Sequence, residues 1–124
     1  MTLEQLIDAY VDAYNRNDVP GMLAVLHDDI RFENVSNAGG TMTLTGKQAF
    51  AEQATQVAPL FSARRQEIVT QIITDDRAAI ELTYSAVVAQ DLPNGWRANQ
   101  KIELRGVSIF ECNDGKISRI SDYS

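Results

Sequence analysis

The hydrophobic period of this chain changes once, and that change sets the order of its layers. Up to Val57, apart from a short alternating stretch at Ile30–Val35, the larger apolar residues recur at helical spacing; from about residue 64 onward they alternate. A helical stripe buries one side of a helix, and alternation buries one face of a strand, so the two halves must pack as separate layers. Helices first and antiparallel strands last is the α+β order. The 124 residues correspond to one domain, spanning 1–124.

Leu3, Leu6, Ile7, Tyr10, Val11 and Tyr14 lie on one helical face, and Thr2 with Gln5 has the form of a capping box at its start. Asn15-Arg16-Asn17-Asp18 interrupts the stripe. Val19-Pro20 then opens a short second helix, since proline is tolerated in a first turn. Its buried side is read as Met22, Leu23, Val25 and Leu26, with Asp28-Asp29 at its end. Ile30, Phe32 and Asn34 share one face of a strand. Ser36-Asn37-Ala38-Gly39-Gly40-Thr41 reads as a loop, and Ala49, Phe50, Gln53, Ala54 and Val57 mark a third helix that stops near Pro59.

Strands are expected at roughly 64–74, 77–90, 98–112 and 116–123, with turns at Asp75-Asp76 and Asn113-Asp114-Gly115 and a loop containing Asn94-Gly95. Asp-Gly between two β-rich runs is a strong hairpin signal. Ala78, Ile80, Leu82, Tyr84, Ala86 and Val88 alternate with Glu81, Thr83 and Ser85, so one face of that strand is buried. In the next strand Ile102 and Leu104 occupy even positions but Val107 and Ile109 odd ones. This parity change predicts a β-bulge near Gly106, a bent sheet and a conical space between sheet and helices.

The 17 acidic residues outnumber the 11 basic ones, giving a net charge of −6, and no basic run appears. Nucleic-acid binding needs the opposite excess on one face. With one cysteine, Cys112, and one histidine, His27, there is neither an internal disulfide nor a zinc ligand cluster. His27 is expected to sit structurally at the second helix's end, where the helix dipole favours a cation. Cys112 has no adjacent activating base. Asp28-Asp29 and Asp75-Asp76 are read as helix-end and turn residues, so no metal site is expected. No apolar run is long enough to span a membrane, and the expectation is a cytoplasmic protein.

Taken in order, Tyr10-Val-Asp-Ala-Tyr-Asn-Arg-Asn-Asp18, Leu26-His-Asp-Asp-Ile-Arg-Phe-Glu33, Thr45-Gly46, Gly106-Val-Ser-Ile-Phe-Glu111 and Asp114-Gly-Lys-Ile-Ser-Arg-Ile-Ser-Asp-Tyr123 resemble the SnoaL-like proteins of the nuclear transport factor 2-like superfamily. The resemblance covers nearly the whole chain. It implies a cone, a cystatin-like α+β barrel, in which a strongly curved antiparallel sheet and three N-terminal helices enclose a pocket for a small apolar molecule. It also implies a homodimer and no cofactor. The superfamily includes ketosteroid isomerase, polyketide cyclases, limonene epoxide hydrolase and non-enzymatic binding domains, so fold alone does not select a reaction.

Measured against ketosteroid isomerase, the resemblance puts the tyrosine position on Tyr10, the base on Asn34 and the oxyanion-hole acid at Val107 or Ser108. Asn34 cannot accept a proton at neutral pH, and neither Val107 nor Ser108 is an acid, which disfavours that mechanism. Asp122 matches the catalytic aspartate of the SnoaL-like cyclases. A carboxylate on a strand lining an apolar cavity is desolvated, and its basicity rises. The epoxide-hydrolase pattern needs a second acid and an arginine on a neighbouring strand. Glu103 and Arg105 have that chemistry without matching positions.

The expected reaction is therefore acid/base proton transfer on an apolar carbonyl or polyketide-like ring, by isomerisation, cyclisation or dehydration. Asp122 moves the proton, and Tyr10, Tyr14 or Asn34 hydrogen-bonds the carbonyl or developing oxyanion. Phe32 and Ser108 complete the expected substrate contacts, and Trp96 either caps the pocket mouth or packs at a dimer interface. A non-catalytic binding module and a dimeric scaffold are the alternatives.

Overall fold

Three helices and six strands follow one another through the computed structural model, which describes residues 1–124. Helix α1 (Leu3–Asn15) begins at the expected capping box. The Thr2 hydroxyl accepts from the Gln5 N–H at 3.2 Å, and the Gln5 side chain accepts from the Thr2 N–H at 2.9 Å. Its stripe buries Leu3, Leu6, Ile7, Tyr10 and Val11. The Asp18 carboxylate caps α2 (Val19–Ala24) by accepting from the Gly21 N–H at 3.0 Å, with Pro20 in the first turn.

Helix α2 ends at Ala24, earlier than its apolar pattern predicts. Leu26 already belongs to β1 (Leu26–Ser36), and Asp28 and Asp29 lie within that strand. The reason is tertiary: the Val25 carbonyl accepts from the Ile117 N–H at 2.9 Å, and the Ala24 carbonyl accepts from the Lys116 ammonium at 2.8 Å. The cation at this helix end is Lys116, not His27. His27 sits in β1, where its Nδ1 accepts from the Asp29 N–H at 3.0 Å.

The glycine-containing loop is shorter than expected, because Gly40 and Thr41 begin β2 (Gly40–Thr45), which pairs antiparallel with β1. The Ser36 hydroxyl accepts from the N–H groups of Ala38 and Gly39 to close this hairpin. Helix α3 (Lys47–Val57) and a short 3-10 turn at Ala58–Leu60 lead to β3 (Phe61–Ile73), β4 (Arg77–Val88), β5 (Lys101–Asn113) and β6 (Lys116–Tyr123). Asp114 and Gly115 both take positive φ, 54° and 74°, the geometry of a two-residue hairpin turn.

The sheet order is β2-β1-β6-β5-β4-β3. Four of its five pairings are antiparallel, but β1 and β6 run parallel, so the sheet is mixed where a wholly antiparallel one was expected. Its edges, β2 and β3, do not pair with each other, and the sheet curves without closing into a barrel. Helix α1 packs on β3, β5 and β6, and α3 packs on β1 and β2. The core between them is built from Leu6, Ile7, Met22, Ile30, Phe110 and Ile120.

No bulge occurs at Gly106. Strands β4 and β5 stay in register from Val87↔Lys101 to Arg77↔Glu111, with Gly106 opposite Leu82. Register instead shifts at Ser62 and Val69, the extra residues of β3 against β4, and at Ser118, the extra residue of β6 opposite Glu111 and Cys112, and these extra residues add twist. The parity change has another cause. The even positions Ile102, Ser108 and Phe110 are buried on the concave face, with Leu104 on the same parity exposed where the cavity opens, while Val107, 40% exposed, lies on the convex face. A polar residue at 108 inside and an apolar one at 107 outside inverted the pattern.

Gly106 is required for a different reason: a Cβ there would stand 2.8 Å from the backbone oxygen of Tyr123. Because that obstacle is main chain, Gly106→Ala should destabilise the fold by about 1–3 kcal/mol, the usual range for overpacking, read as a lower urea midpoint. An unchanged midpoint would show that the end of β6 yields freely.

Candidate active site

Strand register builds the centre of the site. On β1, β6 and β5, Asn34 pairs with Asp122 and Asp122 with Ser108, so three polar side chains stand abreast on the concave face. The neighbouring row, Phe32, Ile120 and Phe110, is apolar and closes the core. Polarity thus begins where the core ends. Ser108 is 2% exposed, and its hydroxyl donates to Asp122 Oδ1 at 2.5 Å.

Burial raises the Asp122 carboxyl from 3.8 to about 6, because desolvation penalises the ionised form more than the neutral one. The Ser108 hydroxyl opposes that shift by donating to the carboxylate. Removing this donor with Ser108→Ala should therefore move the Asp122 pKa further upward, measurable by NMR titration of the carboxyl carbon. A pKa that stays put or falls would show that the hydroxyl does not stabilise the anion.

Tyr10 and Tyr14 stand four residues apart on α1, one turn above the other. Tyr10 is 4% exposed and wedged between Phe50 and Phe110, its ring centroid 6.3 and 6.0 Å from theirs. Burial, then the proximity of Asp122, holds its hydroxyl well above the ordinary tyrosine pKa. Burial, then Tyr84 on β4, does the same for Tyr14. Both phenols remain neutral donors, suited to a carbonyl oxygen that gains negative charge.

These groups line a cavity of about 520 Å³ between sheet and helices, within the size range of small-molecule sites. All seven expected site residues border it: Asp122, Tyr10, Tyr14, Asn34, Phe32, Ser108 and Trp96. Phe32 meets Phe50 edge-on at 5.5 Å. Trp96, in the segment between β4 and β5, stacks edge-on against Phe61 at 6.4 Å and packs on the small cluster of Ala86, Val88 and Ile102.

Tyr84 and Arg64 are among the residues of this cavity that sequence reasoning left out. Tyr84 was legible, since it follows Ile80 and Leu82 on the buried parity of β4. Arg64 carried no signal, because β3 is mostly polar and its alternation is weak. Arg105 borders the cavity but bridges Glu81 at 3.1 Å, and Glu103 lies outside it, so the acid–arginine pair of the epoxide-hydrolase pattern does not assemble. His27 and Cys112 also lie outside. No three His, Cys, Asp or Glu side chains come together as a metal-binding group, and no helix is long and apolar enough to cross a membrane.

The profile of the SnoaL-like domain matches residues 7–120. This chain belongs to the SnoaL-like domain family. Among solved structures, this SnoaL-like domain is similar to a candidate polyketide cyclase of Pseudomonas putida, with 27% identity and a TM-score of 0.81, over 100% of this chain and 92% of that one. A candidate polyketide cyclase of Xanthomonas campestris matches with 26% identity and a TM-score of 0.77, over 98% and 88%. An LEH-like epoxide hydrolase of M. tuberculosis shares the fold at 19% identity and a TM-score of 0.77, over 98% and 79%. No curated protein sequence matches the chain.

Proposed function

We propose that this SnoaL-like domain is an enzyme that transfers protons on an apolar carbonyl compound, a polyketide-like ring, in an isomerisation, cyclisation or dehydration. The observation that carries the reading is Asp122, set between Asn34 and Ser108 where the cavity meets the sheet. Ionised Asp122 removes a proton from carbon next to the carbonyl, and the electron pair moves onto the carbonyl oxygen. Tyr10, Tyr14 or Asn34 donates a hydrogen bond to that oxygen as charge develops. Asp122 then holds the proton for return to another position or to a leaving hydroxyl. The similarity to candidate polyketide cyclases supports the substrate class.

The first step is testable without knowing the product. In D2O, enolisable cyclic ketones such as 2-tetralone should exchange their α-protons faster with the protein than with buffer, followed by loss of the 1H NMR signal. Ketones that bind without accelerated exchange would overturn proton transfer and leave a binding module in its place.

A further inference from the structure

The charge on Arg64 is unaccounted for by the proton-transfer chemistry. In a chain of net charge −6, six of the eight arginines, at 16, 31, 65, 77, 105 and 119, pair with a carboxylate. Arg64 borders the cavity and takes part in no salt bridge. Its guanidinium carbon lies 4.3 Å from the centroid of the Tyr14 ring, and one Nη donates to Asn17 Oδ1 at 3.5 Å, the long limit for such a bond. Its Nε is buried with no partner, the one such side-chain atom in the protein. A guanidinium has five N–H donors in a planar fork suited to a carboxylate. Here most of that capacity meets an aromatic ring and the cavity.

The surroundings favour an anion. Tyr14 and Tyr84, the neutral phenols closest to this end of the cavity, are donors, and Arg64 acts on both of them electrostatically. Arg64 lies on β3 and Asp122 on β6, with β4 and β5 between them. Tyr14, whose ring lies 4.3 Å from the Arg64 guanidinium, is also within electrostatic reach of Asp122, so both groups address the same cavity from different sides of this phenol. The cavity wall also carries Phe61, Leu82 and Met22, an apolar lining suited to a ring.

We infer that the ligand of this cavity is an aromatic or polycyclic carboxylate, with its carboxylate paired to Arg64 and its ring extending toward Asp122. The inference rests on the cavity being the ligand site, as proposed above, but not on the reaction at Asp122. A planar carboxylate accepts two N–H bonds from a guanidinium edge and supplies the missing counter-charge, and the ring occupies the apolar span.

The test compares naphthalene-2-carboxylate with the neutral naphthalene-2-carboxamide, using the fluorescence of Trp96, the only tryptophan, as readout. The wild type should bind the carboxylate about tenfold or more tightly than the amide, as for a charge-assisted pair, and the preference should weaken with added salt. Arg64→Gln should erase the preference by weakening the carboxylate far more than the amide, and Arg64→Lys should restore part of it. Equal affinities in the wild type, a preference insensitive to salt, or a preference retained in Arg64→Gln would overturn the inference. The salt series needs only the wild type, so the test stands even if a variant folds poorly. Binding of the amide without carboxylate preference removes the role of Arg64 alone; binding of neither removes the ligand cavity as well.

Discussion

Asp122→Asn should slow the α-proton exchange by about 10²–10⁴-fold, the usual contribution of a positioned acid/base group. An amide keeps the shape and still accepts from Ser108, so binding should change far less than exchange. The wild-type rate should also rise with pH through about 6, where burial places the Asp122 carboxyl, since only the ionised form takes a proton. The variant's residual rate should lack that limb. An exchange rate in Asp122→Asn equal to wild type, or a wild-type profile flat between pH 4 and 8, would remove Asp122 from the mechanism.

The same substitution should stabilise the protein at alkaline pH. Folding raises the Asp122 pKa from 3.8 to about 6, so the folded state holds the proton more tightly than the unfolded chain. Its favourable contribution is complete below about pH 3.8 and is lost as pH rises through 6. At pH 8 the ionised carboxylate is a net cost of about 2–3 kcal/mol, given 1.36 kcal/mol for each pKa unit. Asparagine has no charge to desolvate. Asp122→Asn should therefore exceed wild type in urea stability at pH 8 by about that amount, with the gap closing near pH 4. A variant less stable than wild type at pH 8 would show that the ionised carboxylate is welcome in the cavity. Gain of stability with loss of exchange is the trade expected of a residue kept for chemistry.

The helical stripe of α1, its capping box, the alternation of β4 and the Asp114-Gly115 turn were all legible along the chain, because each depends on residues within one or two turns or strand repeats. Asp122 was legible through the ordered set of segments resembling the SnoaL-like proteins. Other features needed the partner strand. Helix α2 stops at Ala24 because Lys116 takes its last carbonyl and Ile117 takes the next one, at Val25. Gly106 is small because Tyr123 passes beside it.

By itself, then, the sequence determined the order of the layers, the local starts and turns, and the family resemblance, since periodicity and capping are set by near neighbours. Only the tertiary structure decided which face Asp122 occupies, that Asn34 and Ser108 flank it, and that Arg64 faces the same cavity. Those relations come from the register of strands far apart in the chain, and a shift of one residue in that register would turn each of these side chains to the opposite face.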